Sequence, residues 1–416
     1  MNRRVPNGTH GGVRGRGIFK FPSYSIMMMG DACAQNAAER KLFKTGIFNF
    51  RKRVKEMKKR KFLNRLISAF LIYLVLCTGC QSSAGTQTTE TVVTTEVSAG
   101  TKTDVSETDT VTSEPETTEA MNETEEAVDR YDEIIDLTAI EGKLAIYFLD
   151  LDPVTTGDEH SGDSTLLISP DGKVMLIDAG NTPCGDEITA FLKQLGITRI
   201  DYLVASHAHI DHIGGMPEII TNFEIGTHYR SYVEYTTQTY QNYVSAVENA
   251  DIPVEYVKQG DSFMFGDYIT VDVLNPEAEI EYPDATVQNW NQFMNDHSML
   301  LKMTYGKSTF LFGGDLYVAQ EMILVQNYAD QLKVDVAKVN HHGYSTSSCR
   351  KWVKTTLPQI AVAMGDEIGS VDVCELYEKQ GAVYYHTSLD GCVRVIADDA
   401  RNYEVTSRYD SWIRGE

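Results

Sequence analysis

Residues 206–215 read Ser-His-Ala-His-Ile-Asp-His-Ile-Gly-Gly, which places His207, His209, Asp211 and His212 within six positions. They follow an apolar run, Tyr202 to Ala205, that reads as a buried strand. Side chains alternate along an extended backbone with period two, so a strand ending in His-x-His delivers both imidazoles to one side. The Asp-His pair then opens a turn, from which its two side chains can face a second ion. Neutral imidazole with carboxylate oxygen suits zinc, iron or manganese, and dinuclear sites hold their ions about 3.5–4 Å apart. As plain turn and capping groups, three histidines and an aspartate so close together would be costly to satisfy without a metal.

Around this motif the 416 residues, net charge −22, divide into three segments of unlike charge. Residues 1–80 carry 17 Lys and Arg against 3 Asp and Glu, residues 81–138 carry 2 against 15, and residues 139–416 carry 18 against 41. The first segment contains a targeting pattern. From Met57, a basic stretch leads into an apolar core of eleven residues, Leu66 to Leu76, and then Cys77-Thr78-Gly79-Cys80. Eleven is short of the roughly twenty apolar residues a membrane helix needs, but fits a signal-peptide core. The ending resembles a bacterial lipobox, with Cys80 the lipidated residue; Cys77 stands where the usual Leu would be. The expectation is an extracytoplasmic, membrane-anchored lipoprotein, with secretion as the alternative and Met57 as the true start.

Residues 81–138 are dominated by Thr, Glu, Ser and Val and are strongly acidic. Such a chain cannot bury enough apolar surface to offset its ordering entropy, so a disordered tether is expected. Residues 139–416 are long enough for one large domain. Their four cysteines, Cys184, Cys349, Cys374 and Cys392, form no disulfide framework; a Cys374–Cys392 bridge is conceivable outside the cytoplasm, but mostly free thiols are expected.

Strand patterns cover Leu144–Asp150, Thr165–Ser169, Val174–Asp178, Tyr202–Ser206, Ile269–Leu274, Met299–Thr304, Thr309–Phe312, Val334–Val339, Ile360–Ala363, Val383–Tyr385 and Cys392–Ile396. Helical patterns fall at Glu187–Leu195, Thr239–Asn249, Val318–Tyr328, Ser347–Thr356 and Asp372–Gln380. Pro170-Asp171-Gly172 and Tyr305-Gly306-Lys307 read as hairpin turns. Two mixed sheets with helices on both outer faces accommodate this alternation.

Five motifs follow in the order of the metallo-β-lactamase-fold hydrolases. They are VMLIDAG (174–180), SHAHIDHIGG, His297-Ser298, YGKSTFLFGGD ending at Asp315, and KVNHHGYSTSS with His341 and His342. The hairpin and the HHG ending most resemble the branch that includes the ComEC competence proteins; phosphorylcholine esterases of the bacterial surface are similar. The resemblance covers nearly all of 144–396. It implies an α+β fold, the four-layer αββα sandwich, with a dinuclear metal site along one edge of the two sheets.

Carried over by residue, the resemblance gives His207, His209 and His297 to a first metal. Asp211, His212 and one imidazole of the His341-His342 pair go to a second, with Asp315 bridging. His341 takes the ligand place and His342 faces substrate as an acid or phosphate contact, although the alternative assignment within the pair stays open. Asp178 is expected to orient ligands through hydrogen bonds rather than to touch a metal. The implied cofactor is two divalent ions, zinc, manganese or iron, whose shared hydroxide attacks substrate, with Asp211 as the acid/base group.

Two departures stand out. Relatives often read Asp-Val-Gly-Gln-Gly-Asp before the first hairpin, whereas here Asp150-Leu151 and Gly162-Asp163 are split by a polar insertion, Asp152 to Ser161, expected to rim the site. The Ala363–Gly369 stretch lacks the His that many ComEC-type domains carry. Elsewhere, His228 reads as a strand-end surface residue and His386 as structural, and His160 belongs to the polar insertion, with a site contact only as the minor alternative. Tyr232, Tyr235, Tyr240 and Tyr243 read as packing rather than as an aromatic rim.

The function implied is an extracytoplasmic dinuclear-metal phosphodiesterase acting on a phosphoester substrate: nucleic acid, a teichoic-acid-like polymer or a phosphorylcholine-type group. The alternative is a metal-bound scaffold lipoprotein with a vestigial site. Strong acidity disfavours duplex DNA, whose binding rests on Lys and Arg neutralising phosphates. The membrane is a partner through the lipid anchor, and no protein partner follows from the sequence.

Overall fold

The computed structural model describes residues 135, 140–154, 160–283 and 290–408. The signal-like segment with Cys80, and residues 81–134 of the acidic tether, lie outside the described residues. Among those described, no helix is long and apolar enough to cross a membrane.

Two mixed sheets form the centre. The first has eight strands in the order β15-β14-β1-β2-β3-β4-β5-β6, with β1 at Leu144–Phe148, β2 at Thr165–Ile168, β3 at Val174–Ile177, β4 at Arg199–Ala205, β5 at Glu224–Arg230, β6 at Val254–Tyr256, β14 at Val393–Ala397 and β15 at Tyr403–Ser407. The second has seven in the order β13-β12-β11-β10-β9-β8-β7, with β7 at Ser262–Phe265, β8 at Ile269–Asn275, β9 at Leu300–Tyr305, β10 at Ser308–Gly313, β11 at Val336–Lys338, β12 at Ile360–Ala363 and β13 at Val383–His386. Both expected hairpins are present: β2 pairs antiparallel with β3, and β9 with β10. From β3 to β6 and from β10 to β13 the pairing is parallel, which requires crossover connections.

Strand alternation produces the layers. In β1, Leu144, Ile146 and Phe148 enter the core between the sheets with Val271, Met303 and Phe310, while Ala145 and Tyr147 face outward. The outer face of the first sheet is covered by helices α1 (Cys184–Gln194), α2 (Ile210–Ile213), α3 (Met216–Asn222) and α4 (Gln238–Asn249), which contribute Ile188, Phe191, Ile213, Ile219 and Tyr243. Beyond α5 (Trp290–Asp296), the second sheet is covered by α6 (Val318–Leu332), α7 (Arg350–Thr356) and α8 (Val371–Lys379), which bring Leu324, Trp352 and Tyr377 over Leu311, Ala337 and Ala361. Burying each of the Leu, Ile and Phe side chains among these contributes roughly 1.5–3 kcal/mol. The arrangement is the expected αββα sandwich.

The structure adds four strands to the sequence reading and corrects it at His228, while His386 and the cysteines are as expected. β5, β6, β7 and β15 are not among the strand patterns read from the sequence; β5 (Glu-Ile-Gly-Thr-His-Tyr-Arg) and the three-residue β6 carry few apolar residues. His228 is not at the surface: it is fully buried in β5, its Nδ1 3.1 Å from the Leu203 carbonyl and its Nε2 hydrogen-bonded to the Tyr243 hydroxyl. β5 is an interior strand between β4 and β6, and Tyr243 of α4 lies over it, which removes His228 from solvent. His386 is buried and caps the short helix Thr387–Asp390 by accepting from Ser388 N, a structural role. The four cysteines of the domain form no disulfide with one another, so the conceivable Cys374–Cys392 bridge is not made.

Candidate metal centre

The motif residues sit where strands end. Beyond β4, Ser206 to His209 lead into α2, which carries Asp211 and His212. Asp178 follows β3, Asp315 follows β10, His297 precedes β9, and His341 and His342 follow β11 in a single 3-10 turn. Asp178, His341 and His342 all have positive φ (61°, 45° and 51°), an uncommon conformation for residues with a side chain and one that clusters at functional sites. Gly162 lies against the metal loop: an added Cβ would come within 1.7 Å of the Asp211 carbonyl, so only glycine lets the 160–163 segment lie there.

Two histidines are held alike. His212 Nδ1 lies 2.8 Å from Asp178 Oδ2, and the Asp178 carboxylate also accepts from Ser206 N and Oγ, each at 2.7 Å. His342 Nδ1 lies 3.1 Å from Asp163 Oδ1, and the other oxygen of Asp163 faces the Lys338 ammonium. With both Nδ1 atoms engaged, His212 Nε2 and His342 Nε2 each lie 3.2 Å from Asp315 Oδ2, and His342 Nε2 is also 3.2 Å from Asp211 Oδ2. Neither Nε2 has a hydrogen-bond partner, nor do His209 Nε2, Asp163 Oδ2 and Asp315 Oδ1, although all are buried; the last two are within ion-pair reach of the Lys338 ammonium. Orphaned buried polar atoms that converge fit a cation with which none of them competes. Ligand atoms of Asp163, His212, Asp315 and His342 all lie within 4.8 Å of one another.

The other expected ligands lie alongside. His207 Nε2 is 3.0 Å from His209 Nδ1 and 3.9 Å from Asp315 Oδ2. His297 shares a small cavity with His207, and its Nδ1, 2.7 Å from the Phe293 carbonyl, leaves Nε2 available. Of the adjacent pair, the resemblance places His341 as the ligand. In the structure His342 is the one buried among the carboxylates; His341 lies nearer the surface, its Nε2 3.9 Å from Asp315 Oδ2 and its Nδ1 bonded to Thr346. Asp163 and Lys338 lie inside quoted motifs, at the end of the split Asp-Val-Gly-Gln-Gly-Asp pattern and at the start of KVNHHGYSTSS, but the sequence reading gave neither a role at the site.

Electrostatics divide the histidines. Burial, with the neighbouring His212, drives the His207 pKa well below 6.5, and burial lowers those of His209 and His341, the last to about 4, so these rings are neutral. Burial also opposes charge on His212 and His342, but the carboxylates of Asp315 and Asp211 or Asp163 outweigh it and raise both well above 6.5. For Asp211, burial works against ionisation yet is outweighed by His212 and His342, which hold its pKa low.

The centre opens on a cleft of about 460 Å³ lined by His160, His209, Asp211, Tyr235, Asn291, Asn295, Asp315, Tyr317 and His341, among others. His160 therefore rims the site as the polar insertion was expected to do, its Nδ1 3.3 Å from Asp366 Oδ1; residues 155–159 of that insertion lie outside the described residues. Tyr235 reaches the cleft, whereas Tyr240 and Tyr243 are buried packing. Tyr232 donates to the Glu277 carbonyl.

Residues 157–362 match the model of the Metallo-beta-lactamase superfamily. The chain carries a metallo-beta-lactamase domain. The domain is similar to ComE operon protein 3 of Bacillus subtilis, 27% identical over 49% of this chain and 27% of the relative, and to Recombination protein 2 of Haemophilus influenzae, 24% identical over 62% and 31%. The chain thus spans only about a quarter to a third of the length of these curated relatives. Among solved structures, the metallo-beta-lactamase fold protein YhfI from Bacillus subtilis aligns with 11% identity over 61% of this chain and 99% of that one, at a TM-score of 0.40.

Proposed function

We propose that this protein is an extracytoplasmic dinuclear-metal phosphodiesterase. The observation that carries the reading is the pair of buried imidazoles, His212 and His342, each tethered at Nδ1 by a carboxylate and each presenting an unpartnered Nε2 beside Asp315. In this reading His207, His209 and His297 hold one divalent ion, Asp211, His212 and His342 hold the second, and Asp315 serves both. Zinc, manganese and iron all suit the donor set. When bound, the ions supply Lewis acidity and lower the pKa of water.

The chain's own residues do the rest. Asp211, at the cleft and ionised at neutral pH, is placed to accept a proton rather than to donate one. His341, neutral and in the cleft, offers a hydrogen bond to substrate oxygen in place of a fixed charge. Tyr235 and Tyr317 supply flat, amphipathic walls. Among the described residues lining the cleft there is no Lys or Arg, which supports a compact phosphodiester over duplex nucleic acid. The signal-like segment ending at Cys80 supports a membrane-anchored lipoprotein. The test is to quantify bound metal and to compare hydrolysis of bis(p-nitrophenyl) phosphate, p-nitrophenyl phosphorylcholine, single-stranded and duplex DNA, and nitrocefin. Metal-dependent phosphodiester cleavage is expected; two bound metals with no turnover of any phosphoester would favour the scaffold reading instead.

A further inference from the structure

Lys338 ends β11, four residues before His342, and its side chain is buried beneath the metal centre, away from the cleft. Its ammonium faces Asp163, donates to the Gly314 carbonyl at 3.0 Å and lies 3.9 Å from Asp315 Oδ1. A buried ammonium that cannot meet substrate acts through what it holds.

We propose that Lys338 and Asp163 are a positioning pair for the second metal: Lys338 anchors the Asp163 carboxylate, and Asp163 fixes His342 with its proton on Nδ1 and its lone pair on Nε2. The inference rests on the two-metal reading above. The competing assignment makes Asp163 itself a ligand, since one of its oxygens lies within 4.8 Å of a donor atom of each of His212, Asp315 and His342. Geometry argues against it. Asp163 meets His342 at Nδ1, whereas Asp211 and Asp315 meet the same ring at Nε2, so Asp163 stands behind the imidazole. Its second oxygen, which makes no hydrogen bond, faces the Lys338 ammonium as an ion pair. Asp178 has the same relation to His212, with Ser206 in the place of Lys338. Lys338 adds a charge that Ser206 does not: a cation between the Asp163 and Asp315 carboxylates, where an uncompensated negative charge would be costly.

The two assignments predict opposite effects of removing Lys338. If Asp163 were a ligand, Lys338→Met would free it from a competing cation, and metal would bind as well or more tightly. As a positioning pair, Lys338→Met leaves His342 poorly held. The experiment titrates zinc calorimetrically into the metal-stripped full chain. Wild type should take two equivalents, and Lys338→Met should keep the first while weakening the second by about 10–100-fold, the usual effect of losing such a support. Lys338→Met/Asp163→Asn removes both charges, while the amide oxygen of the introduced asparagine can still accept from His342. That double variant should recover to within about tenfold of wild type, a smaller loss than removal of a support usually brings, and it carries the test if the single variant does not fold. An unchanged or tighter second site in Lys338→Met, or outright loss of that equivalent in the double variant, would overturn the pairing. Fewer than two equivalents in the wild type would be a separate failure, of the two-metal reading itself.

Discussion

Asp178 Oδ2 lies 2.8 Å from His212 Nδ1, and this contact decides which nitrogen of His212 faces the metal centre. The carboxylate is itself fixed by two donors from Ser206, at the end of the strand that leads into the His-x-His motif. Replacing Asp178 with Ala should therefore leave the fold in place but weaken metal binding by about 10–100-fold. Metal titration with circular dichroism as the folding control checks this; unaltered affinity in a folded variant would remove Asp178 from the site.

Proton competition gives the second prediction. In the metal-free protein, the raised pKa values of His212 and His342 contribute stability that is fully present below about 6.5 and is lost as pH rises through the raised folded values. Metal binding needs both rings deprotonated, so it should release about two protons and weaken as pH falls. Without metal, the thermal midpoint should fall from about pH 6 to about pH 8; with metal, its increment should grow over the same range. Titrations in buffers of different ionisation enthalpy count the protons, and metal affinity flat across that range would contradict the assignment.

The SHAHIDHIGG motif was legible because four metal-binding side chains in six positions have few other uses, and β1, β2 and β3 were legible because buried strands read as short apolar runs. The four layers followed from the family resemblance together with two hairpin turns. Asp163 was in view as the end of the split Asp-Val-Gly-Gln-Gly-Asp pattern, but its role was not: its partner His342 is 179 residues away, so no local spacing joins them. Lys338 reads as an ordinary lysine at a strand end, and only burial beside Asp163 distinguishes it. His341 and His342 are adjacent, so spacing cannot rank them; two consecutive positive-φ residues turn one ring inward and the other to the cleft.

Glu321 gives a prediction away from the metal. Buried in α6, it accepts from Asn340 Nδ2 at 2.8 Å, Ser348 N at 2.6 Å and Cys349 N at 3.0 Å, and so staples the loop that carries His341 and His342. Burial raises its pKa from 4.5 to about 7 despite these donors. The folded state then holds the proton more tightly than the unfolded chain, so this group's contribution to stability falls as pH rises from 4.5 to about 7, by at most about 3 kcal/mol. Glu321→Gln should flatten that part of the profile. Denaturant midpoints at about pH 5 and about pH 7.5, wild type against variant, measure the difference; identical slopes would mean that Glu321 ionises normally.

Membrane attachment is tested at Cys80. In a bacterial host the protein should incorporate labelled fatty acid, and Cys80→Ala should abolish the label and slow maturation. Label that survives the substitution would mean a different anchor.

The last prediction separates the jobs of Asp315 and Asp211. Asp315 Oδ2 lies within 3.9 Å of His207, His212, His341 and His342, a position central to both proposed ion sites. Asp315→Ala should lower metal occupancy and turnover together, because nothing else would stand between two like-charged ions. Asp211 touches His342 but also lines the cleft, where it can receive a proton. Asp211→Asn keeps an oxygen for the metal and removes the base, so it should retain part of the metal while losing on the order of 10²–10⁴ in turnover. Metal content measured beside phosphodiester hydrolysis distinguishes the two variants: parallel losses are expected for Asp315→Ala, and turnover falling much further than metal for Asp211→Asn. Wild-type turnover in both would show that hydrolysis does not occur at this centre.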